Sequence, residues 1–93
     1  MKNMDRLADI NSLAATGKLQ EAVAQAQAWA DAAPGDALAV FTLGRMLWRS
    51  GERHRAMGLY ARAAELDPEG PGAMALEHAR EIDAFYNRDL YNP

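Results

Sequence analysis

Apolar residues recur along the chain at three- and four-residue intervals, the spacing that puts side chains on one face of an α-helix. Leu7, Ile10, Leu13 and Ala14 follow this rule and predict a first helix. Val40, Leu43 and Leu47 form a second stripe, and Ala56, Tyr60, Ala63 and Leu66 form a third. Met74, Ala75, Ala79, Ile82, Phe85 and Tyr86 fall near another stripe, with Glu77, His78, Glu81 and Asp83 mostly elsewhere. That pattern predicts a helix from about Ala73 to Tyr86. Gly17 and Gly51 suit tight turns between helices, Pro34 and Pro68 stop the helices before them, and Glu69-Gly70-Pro71-Gly72 reads as a turn.

The punctuation is periodic. Gly17-Lys18-Leu19-Gln20-Glu21-Ala22 precedes Pro34, and Gly51-Glu52-Arg53-His54-Arg55-Ala56 precedes Pro68. Gly51−Gly17, Ala56−Ala22 and Pro68−Pro34 all give an offset of 34. The better copy supplies Val40, Leu43-Gly44, Leu47, Gly51, Ala56, Tyr60, Ala63, Leu66 and Pro68 at spacing that resembles the tetratricopeptide repeat family. That resemblance implies an all-α fold, a right-handed α-solenoid of antiparallel helix-turn-helix repeats. Residues 4–36 are then a degenerate repeat, 37–70 a well-matched one, 71–86 a capping helix and 87–93 a tail, all in one domain. In the first copy Ala26 stands where Tyr60 stands in the second, Trp29 where Ala63 stands, and Asp9 where Leu43 stands. Terminal repeats commonly depart in this way because one face meets water. Trp29, in a helix facing its neighbours, reads as structural. Glu77 and Glu81 occupy places where a further repeat would want core residues, so the array is expected to stop.

Composition narrows the functional classes. Hydrophobic residues are 49% of 93, much of that share alanine, which favours closely packed helices in one small domain. The absence of cysteine excludes disulfide and thiolate chemistry. A net charge of −3 argues against nucleic acid as a partner. No apolar run approaches the ~18 residues of a membrane span. Asp5, Asp9, Asn11 and Ser12 interrupt any secretory signal, so a cytoplasmic protein is expected.

Catalytic constellations are not apparent. No P-loop, His-Glu-x-x-His or nucleophile elbow is present. His54 and His78 lie in different units without ligand spacing, and acidic neighbours around His78 read as a solvated face. The expectation is a non-enzyme without cofactor or metal.

Binding is the remaining class. In the resembled family the first helices line a concave face, which implies that Leu38, Phe41, Thr42, Arg45, Trp48 and Arg49 face a groove. Phe41 and Trp48 are seven apart and Arg45 and Arg49 four apart, so each pair shares a helix side. Aromatics flanked by guanidinium groups suit an extended peptide with apolar side chains and an acidic group. Packing within the monomer is an equally good reading of Phe41 and Trp48. The family's two-carboxylate clamp matches only at Asn11; Leu7, Thr42, Gly72 and Leu76 replace its other members. A protein or peptide partner is the leading expectation. The alternative is a self-associating homo-oligomer whose groove is filled by its own or a neighbour's tail, with Phe85, Tyr86, Leu90 and Tyr91 supplying the aromatic and apolar contacts.

Overall fold

The computed structural model describes residues 2–86, and every regular element among them is helical. The helices are α1 (Lys2–Ala15), α2 (Leu19–Ala32), α3 (Ala37–Arg49), α4 (Arg53–Leu66) and α5 (Pro71–Tyr86). The all-α expectation is met, and no described helix is long and apolar enough to cross a membrane. Residues 87–93, and with them the expected tail contacts of Leu90 and Tyr91, lie outside the described residues.

The turns are set by backbone chemistry that recurs along the chain. Gly17 and Gly51 have φ of 84° and 95°, a left-handed conformation that costs an L side chain roughly 1 kcal/mol or more. At the first turn the Lys18 N–H donates to the Leu13 carbonyl at 2.8 Å and the Gly17 N–H to the Ala14 carbonyl at 3.4 Å. At the second the Glu52 N–H donates to the Leu47 carbonyl at 3.0 Å and the Gly51 N–H to the Trp48 carbonyl at 3.1 Å. Both sets are the paired bonds that satisfy carbonyls left open at a helix C-terminus when the next residue is left-handed. The interhelix loops also match. The Ala33 N–H meets the Trp29 carbonyl as the Asp67 N–H meets that of Ala63, and Asp36 meets Ala33 as Gly70 meets Asp67. Each pair of bonds differs by the same 34 positions read from the sequence. The Asp36 carboxylate also accepts from the Leu38 N–H at 3.0 Å, capping α3. Pro71 opens α5, two residues before the expected Ala73; proline's fixed φ and missing N–H suit the first helical position.

Each helix packs on its neighbours in sequence, and α3 against α4 is the most extensive contact. Alternate helices also touch. Arg45 of α3 donates to Asn11 Oδ1 of α1 at 3.3 Å, and α3 meets α5. On the other side Arg55 and Arg62 of α4 donate to Gln27 Oε1 and the Pro34 carbonyl at 3.0 and 3.3 Å. The helices therefore lie in two layers, α1, α3 and α5 in one and α2 and α4 in the other. The core between them contains Ile10, Ala22, Ala26, Trp29, Ala39, Leu43, Met46, Leu47, Ala56 and Tyr60. Trp29, 2% exposed, takes the packing role expected of it.

Close approach in the α3–α4 hairpin depends on Gly44. A Cβ there would lie 2.8 Å from Tyr60 Cε1 and 2.9 Å from Cδ1, well inside van der Waals contact. Thirty-four residues earlier the bulk is reversed: Ile10 stands at the Gly44 position and Ala26 at the Tyr60 position, both buried. One hairpin takes its bulk from its first helix, the other from its second. The α1 face bearing Asp5, Arg6 and Asp9 is exposed, whereas the corresponding Ala39, Val40 and Leu43 of α3 are buried. Among the described residues no helix precedes α1 to cover that face.

Two expectations for apolar positions are corrected. Met74 and Phe85 are 75% and 69% exposed, so they do not belong to the buried stripe of α5, which is made by Ala79 with Ala75, Leu76 and Ile82 at its edges. Apolar character alone did not distinguish the two faces of that helix. Leu66, at the end of α4, is 39% exposed and so lies outside the buried stripe of that helix.

Two glycines within helices should respond oppositely to alanine. Gly58→Ala, on an exposed face with nothing near the added carbon, should gain up to about 1 kcal/mol from helix propensity. Gly44→Ala should lose about 1–2 kcal/mol net, because overpacking against the Tyr60 ring exceeds that gain. Urea unfolding of both variants measures the contrast, and equal effects would contradict the packing described.

Candidate functional site

The exposed face of α3 has an aromatic foundation supplied by α4. Tyr60, 4% exposed, lies with its ring centre 5.7 Å from that of Phe41 and 6.5 Å from that of Trp48. Phe41 and Trp48 are two turns apart, and the Tyr60 ring beside Gly44 reaches both. Each is therefore anchored on one side and half-exposed on the other. The two readings of these aromatics are compatible: packing fixes them and still leaves a surface. Over Trp48, the Arg53 guanidinium carbon stands 5.4 Å from the ring centre, a cation–π geometry contributed by α4.

Depressions flank α3 at both ends. At its N-terminal end a pocket of about 180 Å³ is lined by Ala37, Leu38 and Phe41 together with Ala63, Pro71 and Gly72. Gly72 makes room there, since a Cβ on it would lie 2.7 Å from that of Ala63. At the C-terminal end a more open groove of about 490 Å³ is lined by Trp48, Arg53, Glu81, Ile82 and Phe85. The N-terminal ends of α3 and α5 thus meet one depression and their C-terminal ends the other, so the two helices run parallel. A further hollow of about 250 Å³ lies between α1 and α2, around Arg6, Ile10 and Trp29.

Of the residues expected to face a groove, Leu38, Phe41, Arg45 and Trp48 are half-exposed and Arg49 is exposed. Thr42 is not available: it is 1% exposed and its hydroxyl donates to the Leu38 carbonyl at 2.7 Å. Its side chain is short and turned back on its own helix, so longer neighbours cover it. Arg45 is held sideways by Asn11, the residue that alone matched the family's carboxylate clamp. Sequence spacing did not reveal Tyr60 as the support of both aromatics or Arg53 as a third guanidinium at this face, since both arrive from another helix.

The electrostatics follow from this arrangement. Burial pushes the Tyr60 phenol above its ordinary value of 10.0, and the nearby Arg45 guanidinium opposes part of that rise. Arg45, Arg49 and Arg53 concentrate positive charge at the C-terminal half of α3, in a chain of net charge −3. His54 Nε2 lies 3.4 Å from Asp83 Oδ1, tying the start of α4 to α5. Among the described residues no group of three or more His, Asp or Glu side chains has an arrangement that could hold a metal.

The chain matches no family model, no curated protein and no solved structure. The case for its activity therefore rests on its own residues.

Because the Tyr60 phenol is harder to ionise folded than unfolded, its contribution is fully present below pH 10.0 and is lost as pH rises toward the folded value. Urea midpoints followed from neutral to strongly alkaline pH should fall more steeply for the wild type than for Tyr60→Phe. Parallel curves would remove Tyr60 as the source.

Proposed function

We propose that the chain is a short tetratricopeptide-type solenoid that binds a protein or peptide segment along α3 and acts as an adaptor rather than a catalyst. The repetition of turn and loop hydrogen bonds at an offset of 34 supports the repeat reading, as does the alternation of helices between two layers. The observation that carries the function is the α3 face itself. Two supported aromatics border apolar depressions at its two ends, Arg45 stands between them along the helix, and Arg49 follows Trp48 at its last position.

Dimensions define the ligand. Phe41 and Trp48 are separated by seven residues of helix, or roughly 10 Å. A peptide in the extended polyproline II conformation covers that distance in about three residues, one full turn, so its positions i and i+3 face the same side. The matching segment places apolar side chains three positions apart and an acidic residue between or beside them. Aromatic edges take the apolar groups, and the arginines take the carboxylate through forked hydrogen bonds. Leu38 lines the N-terminal depression that receives the first side chain. The groove accommodates a short motif, since only one helix carries the full set of contacts.

Selection from a random peptide library on the immobilised full chain should enrich this apolar-x-x-apolar pattern with an acidic residue. Arg45→Ala/Arg49→Ala should weaken a selected peptide by about tenfold or more and remove the acidic preference, as expected for lost charge-assisted hydrogen bonds. A selection without consensus, or a consensus unchanged by the double variant, would sink the proposal.

A further inference from the structure

The depression at the N-terminal end of α3 holds one charged side chain. Asp67, in the loop between α4 and α5, joins Leu38, Phe41, Ala63 and Pro71 in its lining. A Cβ added to Gly70 would lie 2.5 Å from Asp67 Oδ2 and 2.9 Å from Cγ, so the carboxylate lies against that glycine. Positive φ among the described glycines is confined to Gly17 and Gly51, so no left-handed backbone calls for glycine at position 70. The space left by its missing side chain is taken by the Asp67 carboxylate. That carboxylate is exposed and makes no hydrogen bond or ion pair among the described residues. Nor does the loop need it: Ala33, 34 positions earlier, forms the same backbone bond that Asp67 forms.

We infer that Asp67 receives a basic side chain of the segment bound along α3. The lysine or arginine stands next to the apolar residue that enters the depression, on the side away from the segment's acidic residue. This rests on the peptide reading of α3 and adds a second charge, and a direction, to its ligand. The depression measures about 180 Å³, below the roughly 300–1,000 Å³ of small-molecule sites, so it suits one side chain. Its apolar lining takes the aliphatic group, and the carboxylate takes a cation beside it.

The charges of the face are thus divided along its length. Asp67 stands at the end of α3 that begins with Ala37, and Arg45 and Arg49 stand toward the other end. Ala37 and Arg45 are eight residues apart, or roughly 12 Å of helix. At about 3.1 Å per residue of polyproline II, the ligand's cation and carboxylate then lie three or four residues apart. Asp67 also works by exclusion. A segment bound with its charges reversed, or slid toward the depression, would set its own carboxylate against that of Asp67. Like charges there oppose the wrong register, while the correct one pairs both ends. The carboxylate is solvated, so the pair adds little affinity and shows chiefly as a preference between segments.

Selection from a random peptide library on the full chain tests this when it is repeated with Asp67→Asn, Asp67→Lys and Gly70→Ala. The wild type should enrich a basic residue beside one apolar position, on the side away from the acidic residue. Asp67→Asn should remove that enrichment and Asp67→Lys should replace it with an acidic one. Gly70→Ala, whose Cβ displaces the carboxylate, should reduce it with little change in the urea midpoint. All three variants should keep the apolar-x-x-apolar pattern and its acidic residue. A merely structural Asp67 would lower the urea midpoint and leave the basic preference in place. In a selected peptide, replacing the basic residue by glutamine should weaken wild-type binding by about threefold at low salt and leave Asp67→Asn unaffected. An apolar and acidic consensus without a basic residue, or a basic preference that survives Asp67→Asn, would overturn the inference and leave the α3 reading standing. A selection without any consensus would overturn both.

Discussion

The Tyr60 ring enters α3 at the one point where that helix has no side chain, and several features of the molecule follow from this contact. With Gly44 beneath it, the ring brings α3 and α4 close enough to make theirs the most extensive helix contact. The same ring touches Phe41 on one side and Trp48 on the other, fixing two aromatics that would otherwise trade many rotamers for each contact made. The stability of the second hairpin and the rigidity of the exposed α3 face thus depend on one aromatic filling one gap. Rigid aromatics lose little entropy on meeting a ligand, so the packing that holds the hairpin also favours recognition.

Much of the fold was legible because the residues that set it act locally. Gly17 and Gly51 announce left-handed turns whatever surrounds them, and Pro34 and Pro68 end helices by removing a donor and crowding the preceding turn. The period of 34 then fixed which segments correspond. The site was legible only in part. The tetratricopeptide resemblance implied that Leu38, Phe41, Arg45, Trp48 and Arg49 are accessible, and they are at least half-exposed, but it set Thr42 beside them without accounting for its length. What spacing cannot carry is the meeting of side chains from different helices. The Arg45–Asn11 hydrogen bond and the stacking of Arg53 over Trp48 depend on how the layers are set against each other. Met74 and Phe85 show the same limit, because an apolar residue on α5 satisfies the pattern whether it enters the core or stays exposed.

Charge sets the α3 face apart from the chain as a whole. The α3 face gathers Arg45, Arg49 and Arg53 in a chain that is acidic as a whole, so it draws an acidic segment against the prevailing repulsion.

The opposite placement of bulk in the two hairpins also bears on how such a chain can change over generations. Ile10 with Ala26 and Gly44 with Tyr60 are each a matched large–small pair, but the large member comes from opposite helices. Recombination that joined α1 to α4 would set Ile10 against Tyr60 and jam the hairpin. Joining α3 to α2 would set Gly44 against Ala26 and leave a hole. An exchange between the two hairpins therefore succeeds by whole hairpins but not by single helices, and the heritable module is the pair of helices rather than the helix.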